Sequence, residues 1–233
     1  VRVRIGSITG TPPPESGDWT ISDTTIVENS TLIINGSIVV DSQGALILRD
    51  TEIYMNLEYD GQYRIDIYGN LTMLRSLITA YNASNSYYIR VFRGAKLLID
   101  ESEIDYVGVE SASNADENGI WINTDGAVIR FTQIHHPRIG ILLINSSNSE
   151  ILCCDIEYCD LFGIYVENSD NNKLDNNTVR YAVYGIQLCT SADNNTVIRN
   201  YIRDCDYGLI IWHSDNNLVR MNSILYNNLD GIY

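Results

Sequence analysis

The sequence has few of the residues on which many protein classes depend. Of its 233 residues only 4 are proline, 3 phenylalanine and 3 histidine, and 15 basic residues face 30 acidic ones, a net charge of −15. A surface this negative repels nucleic acid and anionic lipid. No run of about 18 apolar residues occurs, so we expect no membrane span. The charge suits an extracellular protein or one that collects cations.

Amphipathic helices are also missing, because no window places apolar residues at a 3.6-residue spacing among good helix formers. Short apolar runs alternate instead with Asn, Asp, Ser and Gly, which is typical of many short strands and turns. The chain begins at Val1 without a leader of the secretory type, so we expect a processed or excerpted N-terminus. Gly231 opens what we expect to be a further repeat.

A six-residue motif recurs along the chain: an apolar residue, a small polar residue or Cys three positions later, and Ile or Val two positions after that. Eight copies follow one another at steps of 25, 26, 30, 22, 23, 23 and 22 residues. Their central residues are Thr51, Ser76, Ser102, Thr132, Cys154, Asn177, Asn200 and Asn222. A repeat of this length is typical of solenoids, in which each unit stacks on the next.

A second motif, Gly followed by alternating apolar residues, accompanies the first in the C-terminal half. It recurs every 21–23 residues, at Gly119, Gly140, Gly163, Gly185, Gly208 and Gly231. Turns rich in Ser, Asp and Asn follow three of the copies, at 169–172, 191–195 and 214–217. Gly and Asn tolerate the positive φ that tight corners require.

These motifs predict an all-β fold, a right-handed parallel β-helix (solenoid) of about 8–10 coils. Coils stacked at a spacing of about 4.8 Å bury the apolar side chains that a single coil would leave exposed. In such a stack Asn200 can share amide hydrogen bonds with Asn177 and Asn222. A β-sandwich is the alternative, but it requires no fixed period. We expect an irregular lead-in over 1–18 and a single β-helix domain over 19–233. An inserted loop is expected near 106–118, where the step lengthens to 30.

The Gly motif and its turn lie together in 163–172 and 208–217. On these segments, 119–233 resembles the parallel β-helix repeats of periplasmic copper-maturation proteins and of carbohydrate-binding and sugar-hydrolysing proteins. The N-terminal half, with 17–21 and 35–40, is similar to secreted archaeal surface β-helix proteins. The resemblance implies the fold and an extracellular or cell-surface location. It implies no single activity, because such repeats serve lyases, hydrolases, epimerases, adhesins and coat proteins. The Asp-Pro-His motif of alginate epimerases is absent.

Charged residues flank the central positions of three adjacent repeats: Asp50, Glu52, Arg75, Glu101 and Glu103. Strand alternation predicts that all five point outward. Carboxylates beside one arginine are what a Ca²⁺-assisted polysaccharide lyase would use, with the cation neutralising a sugar acid while a base removes the proton. The same group is also explained as a cross-strand set of surface ion pairs, which are far commoner than catalytic sites.

Alternation in the Gly-motif strands predicts an outward apolar strip. Its candidate members are Trp121, Leu142, Ile144, Tyr165, Ile210, Trp212 and Tyr233. Such a strip is explained as a subunit interface, as a platform on which sugar rings stack, or as a surface covered by the chain's own lead-in or loop.

Cysteine and histidine give no metal-ligand spacing, so no zinc or copper site is expected. The five cysteines leave at least one thiol free, and we expect Cys154 buried and Cys189 facing outward, where it could bridge to another subunit. Sequons of the Asn-X-Ser/Thr type make glycosylation an expectation for an exported chain. They lie at Asn29, Asn35, Asn70, Asn82, Asn145, Asn176 and Asn194.

The pattern favours a cell-surface or extracellular structural protein that self-assembles into a filament, sheath or coat through the strip and the open coil ends. The absence of convergent catalytic groups favours a protein that is not an enzyme. One alternative is a polysaccharide lyase or hydrolase using the five charged residues. Another is a carbohydrate-binding module using Trp121, Tyr165 and Trp212. We expect a homo-oligomer or polymer, polysaccharide as an alternative partner, and no cofactor apart from Ca²⁺ in the lyase interpretation.

Overall fold

The computed structural model describes residues 6–109 and 114–233. Within these ranges nearly all regular structure is strand, with one 3₁₀ turn at Ala115–Glu117. In chain order the strands are β1 (Ser7–Thr9), β2 (Trp19–Ile21), β3 (Thr24–Glu28), β4 (Thr31–Ile34), β5 (Ile38–Val40), β6 (Ala45–Arg49), β7 (Glu52–Met55), β8 (Arg64–Ile67), β9 (Asn70–Leu74), β10 (Leu77–Ala80), β11 (Tyr88–Val91), β12 (Lys96–Asp100), β13 (Glu103–Asp105), β14 (Gly119–Ile122), β15 (Val128–Arg130), β16 (Gln133–His135), β17 (Ile139–Ile144), β18 (Glu150–Leu152), β19 (Asp155–Glu157), β20 (Phe162–Glu167), β21 (Lys173–Asp175), β22 (Thr178–Arg180), β23 (Tyr184–Cys189), β24 (Thr196–Ile198), β25 (Tyr201–Arg203), β26 (Tyr207–Trp212), β27 (Leu218–Arg220) and β28 (Ser223–Leu225).

The strands form three long sheets that run side by side along one axis. Sheet 1 holds β1, β3, β6, β9, β12, β15, β18, β21, β24 and β27; sheet 2 holds β4, β7, β10, β13, β16, β19, β22, β25 and β28; sheet 3 holds β2, β5, β8, β11, β14, β17, β20, β23 and β26. The chain passes from sheet 3 to sheet 1 to sheet 2 and pairs in parallel with itself one coil later. Nine such coils confirm the predicted β-helix.

The core is a continuous apolar column inside the three sheets. In sheet 1, Ile129, Ile151, Leu174 and Val197 stand in register on successive coils, and all are fully buried. Each such side chain contributes about 1.5–3 kcal/mol when it leaves water. Each inner coil is covered by its two neighbours, so this core is built from residues about one repeat apart in the sequence.

A polar ladder runs beside the apolar column at the corner between sheets 1 and 2. Asn200 is buried there, and its Oδ1 accepts hydrogen bonds from the backbone N and the Nδ2 of Asn177, both at 3.0 Å. Its Nδ2 donates to Oδ1 of Asn222 at 3.0 Å and to the carbonyl of Leu174 at 2.9 Å. The predicted sharing of amide hydrogen bonds by these three asparagines is confirmed.

The lead-in and the expected inserted loop both contain more regular structure than the sequence predicts. The lead-in is not wholly irregular, because β1 pairs antiparallel with β3 and Trp19 Nε1 donates to the Thr11 carbonyl at 3.0 Å. In the expected loop, 110–113 lie outside the described residues. Asp116, in its 3₁₀ turn, accepts a hydrogen bond from Arg90 of sheet 3 at 3.0 Å.

Candidate functional site

A groove of about 570 Å³ lies along the corner between sheets 1 and 2. It crosses four coils, or roughly 14 Å at the usual strand spacing. The residues that line it are Asp50, Thr51, Glu52, Arg75, Ser76, Leu77, Glu101, Ser102, Glu103, Phe131 and Gln133. All five charged residues singled out in the sequence therefore line one surface, which we call the acidic groove.

Backbone geometry explains why these side chains converge. Asp50, Arg75, Glu101 and Phe131 occupy the same corner position of successive coils, with φ of 48°, 46°, 48° and 50°. This left-handed conformation is uncommon for residues with a side chain. The next residue of each coil turns inward and fixes the corner. At Ser76, for example, Oγ donates a hydrogen bond to the Leu74 carbonyl at 2.8 Å and accepts one from the Thr51 N–H of the preceding coil at 3.1 Å.

The second wall of the groove is the first residue of each sheet 2 strand. Glu52, Leu77, Glu103 and Gln133 pair in register across β7, β10, β13 and β16. Phe131 and Gln133 were missed in the sequence because only charged residues were considered. The repeat register itself would have found them, since they flank Thr132 as Glu101 and Glu103 flank Ser102.

The groove carries an excess of negative charge. Arg75 donates two hydrogen bonds to Asp50, at 2.8 and 3.0 Å, and these bonds hold the pKa of Asp50 below its usual value. The pair neutralises itself, and among the described residues Glu52, Glu101 and Glu103 have no arginine or lysine partner within salt-bridge distance. Phe131 closes one end with a ring side chain that is 55% exposed.

The carboxylates of the groove are not clustered around one point, as the ligands of a metal ion would be. In the part of the chain that the structure describes, no three His, Cys, Asp or Glu side chains are grouped to hold a metal ion. The Arg75 guanidinium, which the lyase interpretation assigns to the substrate, is already engaged by Asp50.

The predicted apolar strip is much less exposed than alternation indicated. Leu142 and Ile210 are only 2% and 7% exposed. Trp121, Ile144 and Tyr165 are half-buried, and only Trp212, at 57%, and Tyr233 are largely exposed. Alternation sets which way a side chain leaves the coil, but bulky neighbours on the same face cover the smaller side chains between them.

Stacking between aromatic rings is one reason why side chains on this face are shielded from solvent. Phe162, Tyr184 and Tyr207 stand one above another at the start of the sheet 3 strands, with centroids 4.7 and 5.2 Å apart and nearly parallel planes. Their faces meet each other rather than solvent, so this column stabilises coil stacking. With Trp212 and Tyr233 it lines a second cleft of about 380 Å³.

The cysteines and histidines lie apart from the acidic groove, with one exception. Cys189 lies on the outward face, as expected, where it contacts the Tyr165 hydroxyl at 3.0 Å, but it is buried there, so the expectation that it could bridge to another subunit is wrong. Cys154 is buried as predicted, and burial raises its pKa to about 12. His135, at the edge of the groove, lies 3.9 Å from Glu103 and 3.3 Å from Glu157.

No helix in the described residues is long and apolar enough to cross a membrane. The coils, the three parallel sheets and the stacked interior define the chain as a β-solenoid. Residues 82–224 match the family model described as Right handed beta helix region, and the chain belongs to that family.

Comparison with solved structures shows the same fold at low identity. The periplasmic alginate epimerase AlgG is 14% identical with a TM-score of 0.64, over 90% of this chain and 54% of AlgG. The chain thus spans about half the length of that relative. The Streptococcus pneumoniae surface protein and adhesin PfbA is 9% identical with a TM-score of 0.45, over 94% of this chain and 90% of PfbA. A search of curated proteins gives no match.

Proposed function

We propose that the chain is an extracytoplasmic glycan-binding β-helix whose acidic groove takes a neutral or amino-sugar oligosaccharide. The observation that carries the proposal is the set of groups in the groove: three carboxylates outside the Asp50–Arg75 pair, an amide and an exposed ring, spread over four coils. The acidic composition and the fold shared with a periplasmic polysaccharide epimerase support an extracytoplasmic location.

The groups in the groove match the chemistry of a sugar surface. Glu52, Glu101 and Glu103 accept hydrogen bonds from hydroxyl or ammonium groups, and bonds to ionised acceptors are about twice as strong as neutral ones. Gln133 both donates and accepts. The Phe131 face offers an apolar surface to the C–H side of a sugar ring, and most ligand sites combine such a surface with a few polar groups.

Charge selects among glycans. Glu52 lies one coil before Leu77, and Glu101 and Glu103 lie one coil after it, so a uronic-acid chain along the groove would meet like charges on two of its four coils. Repulsion of this kind confers specificity as effectively as a new attraction does. A neutral or amino-sugar chain meets no such repulsion.

The proposal is tested with two variants at equivalent corners. We expect Phe131→Ala to weaken binding of a neutral hexasaccharide about fivefold or more, because covering half a phenyl ring is worth about 1 kcal/mol. Met221→Ala, at the same corner four coils away, should leave the affinity unchanged. Titration calorimetry over a panel of neutral and amino-sugar oligosaccharides measures both. An equal loss of affinity in the two variants, or no detectable binding of any oligosaccharide in the panel, would overturn the assignment.

Self-assembly is a second candidate, favoured by one observation. Trp212 is exposed in the wall of the second cleft, where a flat apolar group of another copy could dock. Light scattering and negative-stain microscopy would detect a filament, sheath or defined oligomer, and Trp212→Ser should disperse it. A monomer at all concentrations would remove this candidate.

Cleavage by the five charged residues remains a prediction with its own test. Polysaccharide cleavage with and without Ca²⁺, lost in Arg75→Ala, would establish it. Unchanged cleavage in that variant would assign the activity elsewhere.

A further inference from the structure

One of the seven sequons differs from the others in its exposure. Asn82, Ala83 and Ser84 are all exposed. In each of the other six the middle residue is buried; these residues are Ser30, Gly36, Leu71, Ser146, Asn177 and Asn195. Six sequons therefore place their middle residue inside the solenoid although most of their acceptor asparagines are exposed, whereas the Asn82 sequon lies wholly on the surface.

The buried middle residues are held by the coil ladders. Ser146 Oγ donates to the Thr124 carbonyl of the preceding coil, and its N–H donates to Ser169 of the next at 2.9 Å. Asn177 Nδ2 donates in the same way to the Ile151 carbonyl at 2.8 Å. A transferase cannot take up such a segment unless the coil opens, and opening breaks contacts with both neighbours.

Asn82 instead lies in the loop between β10 and β11. The Ser84 N–H donates to Asn82 Oδ1 at 3.1 Å, which is an Asx turn spanning the sequon. The Asn85 N–H closes the turn on the Asn82 carbonyl at 3.0 Å. The base of the loop is anchored, since Asn85 Nδ2 donates to the Leu57 carbonyl at 2.8 Å and Ser86 Oγ to Asp60 at 3.1 Å.

The acceptor nitrogen of Asn82 is available as well. Among the described residues no hydrogen bond engages Asn82 Nδ2, and the Asx turn uses only Oδ1. In two other sequons that atom is occupied: Asn35 Nδ2 donates to the Glu15 carbonyl at 3.0 Å, and Asn176 Nδ2 to Cys153 Sγ at 3.3 Å.

We propose that Asn82 is the one sequon open to N-glycosylation in the folded chain. In the transfer, Asn82 Nδ2 forms a bond to C1 of a sugar while the bond from C1 to the phosphate oxygen of a glycosyl pyrophosphate donor breaks. The pyrophosphate leaves with the electron pair, and one proton of Nδ2 passes to a base of the transferase. Oδ1 is retained, so the hydrogen bond from Ser84 survives in the product.

The experiment uses folded, unmodified chain with a purified oligosaccharyltransferase and a short lipid-linked oligosaccharide. Peptide mapping should place the glycan on Asn82 alone, and Asn82→Gln and Ser84→Ala should both abolish it. Asn70→Gln, which removes an exposed Asn whose sequon has a buried middle residue, is the matched control and should leave the modification intact. Chain unfolded by heat should acquire glycan at further sequons.

Two results would overturn the proposal. One is comparable occupancy of Asn70, Asn145 or any other sequon in the folded chain. The other is an unmodified Asn82 while a synthetic peptide of residues 81–86 accepts the glycan in the same mixture. Neither result bears on glycan binding in the acidic groove, which lies on a different corner of the coil.

Discussion

Replacing Asn200 by alanine removes one rung of the buried amide ladder. Asn200 is 1% exposed, and its side chain makes two hydrogen bonds as acceptor and two as donor. The substitution leaves the N–H of Asn177 without its acceptor, and a buried unpaired group costs about 1–3 kcal/mol. Loss of the remaining bonds adds about 1 kcal/mol each for those that water cannot replace. We therefore expect a loss of roughly 3–5 kcal/mol.

Thermal unfolding followed by circular dichroism measures this loss. For a chain of this size 1 kcal/mol lowers Tm by about 2–4 °C, so Tm should fall by roughly 10 °C. Asn222→Ala is the control, because Asn222 makes similar bonds on a half-exposed rung that water can reach. Its Tm should fall by only about 2–4 °C. Equal falls in the two variants would refute the argument that burial makes the ladder costly to break.

Three further predictions concern charge and thiol chemistry. Asp66 is 3% exposed between two arginines of sheet 3, so Asp66→Ala should cost about 3 kcal/mol in urea unfolding, and a loss below about 1 kcal/mol would contradict it. Hydrogen bonds from Arg199 lower the pKa of Asp175 below 3.8, so its contribution to stability is present above that pH and is lost as the pH falls through the lowered value. The Tm of Asp175→Asn should therefore lie below that of the parent chain at pH 7 and approach it near pH 2; a gap independent of pH would contradict this. Cys153 is half-buried while the other four thiols are buried, so a thiol reagent at pH 8 should modify about one cysteine in the native chain and none in Cys153→Ala.

The fold was predictable because, in a stack of coils, residues that are one repeat apart in the sequence become neighbours in space. Residues one period apart, such as Asn177 and Asn200, lie on adjacent rungs, so the matched central positions locate the corner and the ladder without any long-range information. The convergence of Asp50, Arg75 and Glu101 followed from the same register. The lead-in strand β1 was missed because it pairs antiparallel and carries no repeat.

Exposure was less predictable than direction. Leu142 and Ile210 leave the coil outward, as alternation indicates, yet larger side chains on the same face cover them. Phe131 and Gln133 were missed for a different reason. A phenylalanine or a glutamine alone does not indicate a site, and these two become candidates only because they line one groove with the carboxylates of the preceding coils.

The most direct test of the account compares two oligosaccharides of equal length in one titration series. The charge of the acidic groove predicts measurable binding of a neutral or amino-sugar hexasaccharide and at least tenfold weaker binding of a uronic-acid hexasaccharide at low salt. Glu101→Gln together with Glu103→Gln should narrow that difference, because the variant removes the repelling charges and keeps the shape. Tighter binding of the uronic-acid chain by the parent protein would contradict the account.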